Sequence, residues 1–558
     1  MNSSFFFKFL LLSFLFFYLY SYSYAQVENI PSSHEVYSFL NRMHVKGALE
    51  EYDDVILPLS RKQVNTALIT ISKNRQCLSN IEQKKLDRII TQLGFVDSIQ
   101  TVNFFDSFPD DFLQNFTCEY EKHLYSYRDS SIKFNVDPIV EYKFIYSDQT
   151  KAGSSIFNFG GRIRGTYDDW FGYFIEATNG SVFGNRETAS LDKRVEQSYT
   201  FNNTEINFFD NTSGYMRFEK GPINFQLGRE RILWGTGRIN KLILSDNPQI
   251  FDFIKFNFSY KSLRYDFLHG WLVMQPDFIQ IYNDVSKEKR SKYIAISRFG
   301  VSPSSNLSLG ISQMIIYSNR PIEAAYLNPF LFWESAQRSL NDLDNSFLTF
   351  DGKFRVINGV EINASAIFDD INFGRLFRGD WASHNNGFAW QGGISLTSPL
   401  VLENMTFNFE YLQLRPYIFS HPGYDESLTY TNNSYLLGIY LNPNSTLLSL
   451  NLEYDLTERI KFTIFYDYMI HGNNEYDSLG TLKRNVGGNV FEYYRINDSD
   501  YAYLLDGVRE TENRFRLNFN WQIFNGLYFI FDFEHRKNSY NPSNSYNAFS
   551  SSLNLLLD

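Results

Sequence analysis

The chain has 558 residues, a formal net charge of −11 and an aromatic content of 18%, with 55 Phe and 38 Tyr. The acidic balance argues against nucleic acid as a partner, because such binding runs on basic patches. Cys77 and Cys118 lack metal-ligand spacing and make no disulfide framework, and the absence of a Gly-rich phosphate loop, HExxH or GxSxG argues against a cofactor, a metal or a common hydrolase site.

Residues 1–25 read as a secretory signal. Lys8 is the lone charge, an apolar run covers 9–20, and Ser23-Tyr24-Ala25 forms a small-x-small cleavage site. No later stretch has the ~18 apolar residues of a membrane helix. The sequence therefore predicts an exported chain without a spanning helix.

Residues 26–120 form the second unit, a small helical region expected on the periplasmic side. Three capping boxes open its helices: Ser32 with Glu35, Ser60 with Gln63, and Ser79 with Glu82. Each is followed by an apolar stripe at i, i+3, i+4, i+7, such as Val64, Ala67, Leu68 and Ile71. Three such stripes can bury one another as a bundle.

Residues 121–558 alternate with period two. Leu448, Leu450, Leu452 and Tyr454 share one face and Ser449, Asn451 and Glu453 the other. Phe515, Leu517, Phe519 and Trp521 oppose Arg516, Asn518 and Asn520, and Asn525-Gly526 makes a tight hairpin turn before Leu527, Phe529 and Phe531. Strands of this length, apolar-out and polar-in, predict an outer-membrane barrel. Short turns fall near 167–169, 219–222, 260–262, 300–306, 358–359, 398–402, 456–458 and 524–526. Long ones fall near 148–157, 180–212, 233–249, 273–292, 318–349, 369–386, 415–446, 471–510 and 537–546. Seventeen turns join about eighteen antiparallel strands, the first near 137–147 and the last near 547–557.

The stretch 228–248 is the chemical focus. It gathers Arg229, Glu230, Arg231, Arg238 and Asp246 around Trp234 and its glycines. Unpaired charges suit neither lipid nor a dry core, so a wet, charge-paired lumen is expected. The 318–349 loop is expected to fold inward with Asn328, Glu334, Asp344 and Asn345 and to help plug that lumen. A glycan surface is expected on the long-turn side, where Tyr424, Arg484, Tyr493, Tyr494 and Tyr501 combine aromatic faces with charged donors.

The 228–248 motif GRERILWGTGRINKLILSDNP resembles that of the Wzi-type capsule assembly proteins. The stretch 319–350 and the Leu57-Pro58-Leu59-Ser60 segment are similar to the same family. The resemblance implies an eighteen-stranded outer-membrane barrel with a periplasmic helical bundle. It further implies a lectin that holds capsular polysaccharide or exopolysaccharide and helps assemble capsule, and that is not an enzyme. Extracellular polysaccharide, outer-membrane lipid and the polysaccharide export machinery are the partners it implies. The C-terminus departs from many outer-membrane barrels by ending in Leu555-Leu556-Leu557-Asp558 rather than an aromatic residue. A porin or transport channel is the rival reading, because eighteen strands otherwise enclose an aqueous pore.

Overall fold

The computed structural model describes residues 26–557 except 96–100, 108–110, 199–206, 275–290, 343, 370–373, 375–377, 380–381, 385, 400–401 and 423–425. The expected signal, 1–25, lies outside the described residues.

Eighteen antiparallel strands close into one barrel. They are β1 Ile132–Ser147, β2 Ala152–Tyr167, β3 Phe171–Gly184, β4 Phe208–Lys220, β5 Ile223–Arg229 and β6 Asp252–Tyr260. Next come β7 Leu263–Leu272, β8 Lys292–Ser304, β9 Leu307–Ser318, β10 Asn345–Ile357, β11 Val360–Asp369 and β12 Gly387–Thr397. The last are β13 Met405–Leu414, β14 Ser445–Asp455, β15 Ile460–Asn473, β16 Val508–Phe524, β17 Leu527–Asn538 and β18 Tyr546–Leu556. β18 closes the sheet on β1, with Leu553 opposite Tyr142, and the short strand Tyr125–Arg128 extends the pairing along the lower part of β1.

The period-two pattern sets the two faces, as expected from the pleat. Phe299, Ile311 and Phe350 lie in one cross-strand row and are 49%, 42% and 45% exposed, forming part of an apolar outer band. Ser449, Asn451, Asp467 and Gln522 are buried toward the interior. One expected long turn is short: β1 and β2 are joined by residues 148–151 only. Gly153, Ser154 and Ser155 read as loop from their side chains, yet they pair with Tyr146, Ile145 and Phe144. Ladder bonds use the backbone, so small residues can hold the register there.

The head consists of α1 Val36–Lys46, α2 Arg61–Lys73 and α3 Asn80–Gln92, whose stripes bury Phe39, Leu40, Val64, Leu68, Leu86 and Ile89 together. The capping boxes on Ser60 and Ser79 form as read. The one expected at Ser32 does not, because α1 begins at Val36 with no side-chain cap. Glu35 instead meets Arg88 of α3 at 2.7 Å, a charge-assisted contact stronger than a neutral cap bond.

The head closes the short-turn end of the barrel. Ser79 Oγ donates to Asn404 Oδ1 at 2.5 Å, Gly359 N donates to Val45 O at 2.7 Å, and Gln92 Nε2 donates to Asn525 Oδ1 at 3.0 Å. These contacts touch three different short turns.

Two loops from the other end occupy much of the lumen, and a polar cavity of about 520 Å³ remains between the 230–251 loop, the head and the wall around Arg162, Asn518 and Asn554. Residues 230–251 turn inward after β5, and Leu233–Trp234 pairs antiparallel with Ile56–Leu57 of the head. The 415–444 connection also folds in, and Tyr430 Oη donates to Ile243 O at 2.6 Å. Trp234, Leu242, Ile243, Ile418, Phe419 and Leu437 then pack on inward wall residues such as Phe253, Ile294, Met314 and Leu412. The expected wet lumen is thus corrected for this part, which is an apolar core. The reason is that the inward positions of β6 to β14 near the long-turn end are themselves apolar, and a matching loop removes both surfaces from water.

The 319–344 connection does not enter the lumen. It forms a helical hairpin, α4 Ala324–Leu327 and α5 Trp333–Leu340, packed on the outer wall of β7 to β9.

Candidate functional site

The charged residues of 228–248 divide among three places. Arg238 lies in the lumen, donates to Asp54 of the head and to Glu361 of β11, and reaches Asn41 Oδ1 at 2.8 Å. Lys353 of β10 also pairs with Asp54. Burial opposes the charge on Asp54, but Arg238 and Lys353 hold its carboxyl far below the usual carboxylate range. Glu230 is buried and accepts from Asn29 Nδ2 at 2.9 Å and Gln226 Nε2 at 2.8 Å. Arg231 donates to Pro248 O at 2.6 Å. Trp234 is fully buried in the apolar core.

The remaining expected members of the lumen cluster are elsewhere. Arg229 alternates with inward Gln226 and faces outward, paired with Asp252 at 2.8 Å. Asp246 is exposed. Asn328 and Glu334 belong to the outer hairpin, and Asp344 anchors its base by accepting from Arg320 Nη1 at 2.8 Å. Asn345 is the exception in that loop, since it points inward and donates to Leu428 O at 2.9 Å. A one-residue step in a strand exchanges wall for lumen, which is why neighbours 344 and 345 part.

On the long-turn face, a cleft of about 390 Å³ opens between Tyr440, Asn442, His471, Asn473, Tyr476 and Glu510. Glu510 accepts from Asn473 Nδ2 at 3.0 Å and lies 3.3 Å from His471 Nδ1. Arg536 donates to Glu512 at 2.8 Å on the same rim, and the Arg514 guanidinium sits 5.8 Å from the Tyr440 ring centre. Tyr440 and Tyr476 are each 37% exposed. Aromatic faces beside amides, carboxylates and a guanidinium can take both the C–H face and the hydroxyls of a sugar ring.

The expected glycan residues lie on the same face but mostly outside this cleft. Tyr494 stacks on His384 with centroids 3.8 Å apart and donates to Asp500 Oδ1 at 2.9 Å. Arg484 is held by Glu475 at 2.9 Å and Asp506 at 2.6 Å. Tyr493 is half-buried, Tyr501 is exposed beside Ser383, and Tyr424 lies outside the described residues. Glu512 and Arg536 were missed because they sit on β16 and β17, where alternation reads them as ordinary inward residues, and Glu510 because the sequence placed it in the long turn 471–510 rather than on β16. His471, near the long-turn end of β15, and Tyr440, in the 415–444 connection, gave no motif.

The family model for the capsule assembly protein Wzi matches residues 153–538. The chain belongs to the Wzi family. Among solved structures, Wzi of Escherichia coli is described as an outer membrane protein involved in group 1 capsule assembly and a carbohydrate-binding β-barrel. This Wzi-family chain superposes on it with a TM-score of 0.57 at 14% identity, covering 95% of this chain and 99% of that one. OprD and OccK5 of Pseudomonas aeruginosa match with TM-scores of 0.40 and 0.41 at 10% and 9% identity, covering 75% and 76% of this chain and 94% and 98% of theirs. No curated protein sequence matches. The closed sheet with its apolar outer band is an outer-membrane barrel, as the Wzi assignment requires.

Proposed function

We propose that the protein binds extracellular polysaccharide at the cell surface and assists capsule assembly, as a lectin and not as an enzyme. The observation that carries this reading is the aromatic and charged cleft on the long-turn face, set above an interior that the inward loops and the head largely occupy. The loops and head standing across the lumen also weigh against the porin reading. In this proposal 1–25 is a cleaved export signal, the head faces the periplasm, and 121–558 is the barrel. Loop 474–507, with Tyr493, Tyr494, Tyr501 and Arg484, extends the glycan surface beyond the cleft, and the export machinery meets the head side. The polymer's chemistry sets which sugars fit.

The test is direct binding of purified polysaccharide from the producing cell to the detergent-solubilised barrel. Tyr476→Ala and Tyr440→Ala should each weaken it several-fold while heat-modified gel mobility stays normal. Unchanged binding in a well-assembled double variant would remove the cleft from the proposal.

A further inference from the structure

The hairpin 321–340 has a position that neither a lumen plug nor a surface glycan loop explains. It leaves the long-turn end of β9 and returns to β10, yet its tip lies far down the outside of the wall. Tyr265 Oη donates to Pro329 O, and the Phe330 ring stacks on Tyr265 with centroids 5.8 Å apart. Tyr265 is an outward residue, since its neighbours Arg264 and Asp266 pair with each other inside. It is seven positions below Leu272, the long-turn end of β7. At roughly 3.3 Å per residue and a tilt of about 40°, the tip sits roughly 18 Å below that end. Tyr265 is in register with Phe299, whose row continues through Ile311 and Phe350, so the tip reaches the depth of the apolar band.

The wall beneath the hairpin breaks the apolar-out rule. His269, Ser297 and Gln313 all point outward there. Gln313 Nε2 donates to Leu331 O at 2.8 Å and to Ser297 Oγ at 3.1 Å, and its Oε1 accepts from Trp333 N at 3.0 Å. His269 Nε2 meets Tyr317 Oη at 2.7 Å. Without the hairpin, Gln313 would face hydrocarbon with Ser297 as its one remaining partner, and the His269–Tyr317 pair would lie bare against acyl chains. The hairpin gives Gln313 the Leu331 carbonyl and the Trp333 amide, and it covers the whole patch with Trp333, Tyr326 and Ala336.

The opposite face of the hairpin is apolar and open. Phe330 is 84% and Phe332 56% exposed, with Leu327 beside them. Residues 324–333 carry no charge. The charged pair Glu334–Arg338, at 2.7 Å, lies on α5 as it climbs back, with Glu334 bonded to Ser346 near the long-turn end of β10. We infer that this hairpin is immersed in the outer leaflet, with Leu327, Phe330 and Phe332 among lipid acyl chains and Arg338 near the headgroups. It replaces a stretch of lipid-facing wall, and the acyl chains are its partner.

The test uses the full chain with Cys77→Ser and Cys118→Ser, spin-labelled singly at Phe330→Cys, Phe332→Cys, Leu327→Cys or Arg338→Cys. It is reconstituted in phosphatidylethanolamine–phosphatidylglycerol vesicles. Relaxation by oxygen should exceed relaxation by an aqueous nickel chelate at 327, 330 and 332, and the order should reverse at 338. Nickel access at 330 equal to that at 338 overturns the inference. So does protection from both reagents, and spin broadening that vanishes on dilution with unlabelled protein then assigns the surface to a second copy. Leu327→Cys keeps the test open if either phenylalanine variant fails to assemble.

Discussion

Asp54 of the head and Arg238 of the inward loop pair inside the barrel, although 184 positions separate them in the chain. Arg238 is bound in turn to Glu361 of the wall, and Asp54 to Lys353, so head, loop and barrel share one charge network. Removing one partner of a buried pair leaves the other uncompensated, which costs about 3–5 kcal/mol. Asp54→Ala should therefore loosen the head, and limited proteolysis of the assembled barrel should release residues 26–95 sooner than in the wild type. Asp54→Asn, which keeps one acceptor for Arg238, should do less.

The hairpin's place outside the wall changes what its removal does. Replacing 321–341 by a short Gly-Ser linker should leave planar-bilayer conductance at the wild-type level. Replacing 232–244, which carries Trp234 and Leu242 into the interior, should raise it. A large steady current from the hairpin variant alone would return that loop to the role of plug.

Docking of the head should depend on pH through His44. Burial first, and then Lys353, lower the His44 pKa from its ordinary 6.5 to about 4. The docked head keeps this ring neutral, while a released head takes up a proton near the ordinary value. Docking is thus fully supported above about pH 6.5 and weakens as pH falls toward 4, by at most about 1.4 kcal/mol per pH unit. Glu35, whose burial is outweighed by Arg88 and Lys85, is held at about 2, and so keeps its charge through that window. Protection factors of α1 amides, corrected for the intrinsic exchange rate at each pH, should fall between pH 6.5 and 4, and His44→Gln should flatten that trend.

The cleft and the loop tyrosines should separate by kind of defect. Tyr494→Ala removes the stack on His384 and should disturb the joining of loops 382–384 and 474–507, read as faster protease cutting there. Tyr476→Ala removes a hydrogen bond donated to Glu492 but no such stack, and should reduce polysaccharide retention without new cutting. Equal retention in Tyr476→Ala and wild type would point to the outer loop instead.

Alternation, read together with turn residues such as Asn525-Gly526 and with the count the family resemblance implied, predicted the barrel, its strand count and the sequence positions of nearly all its turns, because a strand with lipid on one side and protein or water on the other must repeat every second residue. Capping residues likewise determined two of the three helix starts in the head, since Ser60 and Ser79 satisfy donors within their own first turns. Where each loop goes was decided only by the tertiary structure. The 230–251 and 319–344 connections both carry tryptophan, arginine and acidic residues, yet one enters an apolar half-lumen and the other covers Gln313 and His269 on the outside. The difference lies in the wall residues each one meets, and these form a surface only once strands such as β7, β8 and β9, or β6 to β14, have paired. Asp344 and Asn345 make the same point within one dipeptide, as a single step of the pleat sends one side chain to the hairpin and the other to the lumen.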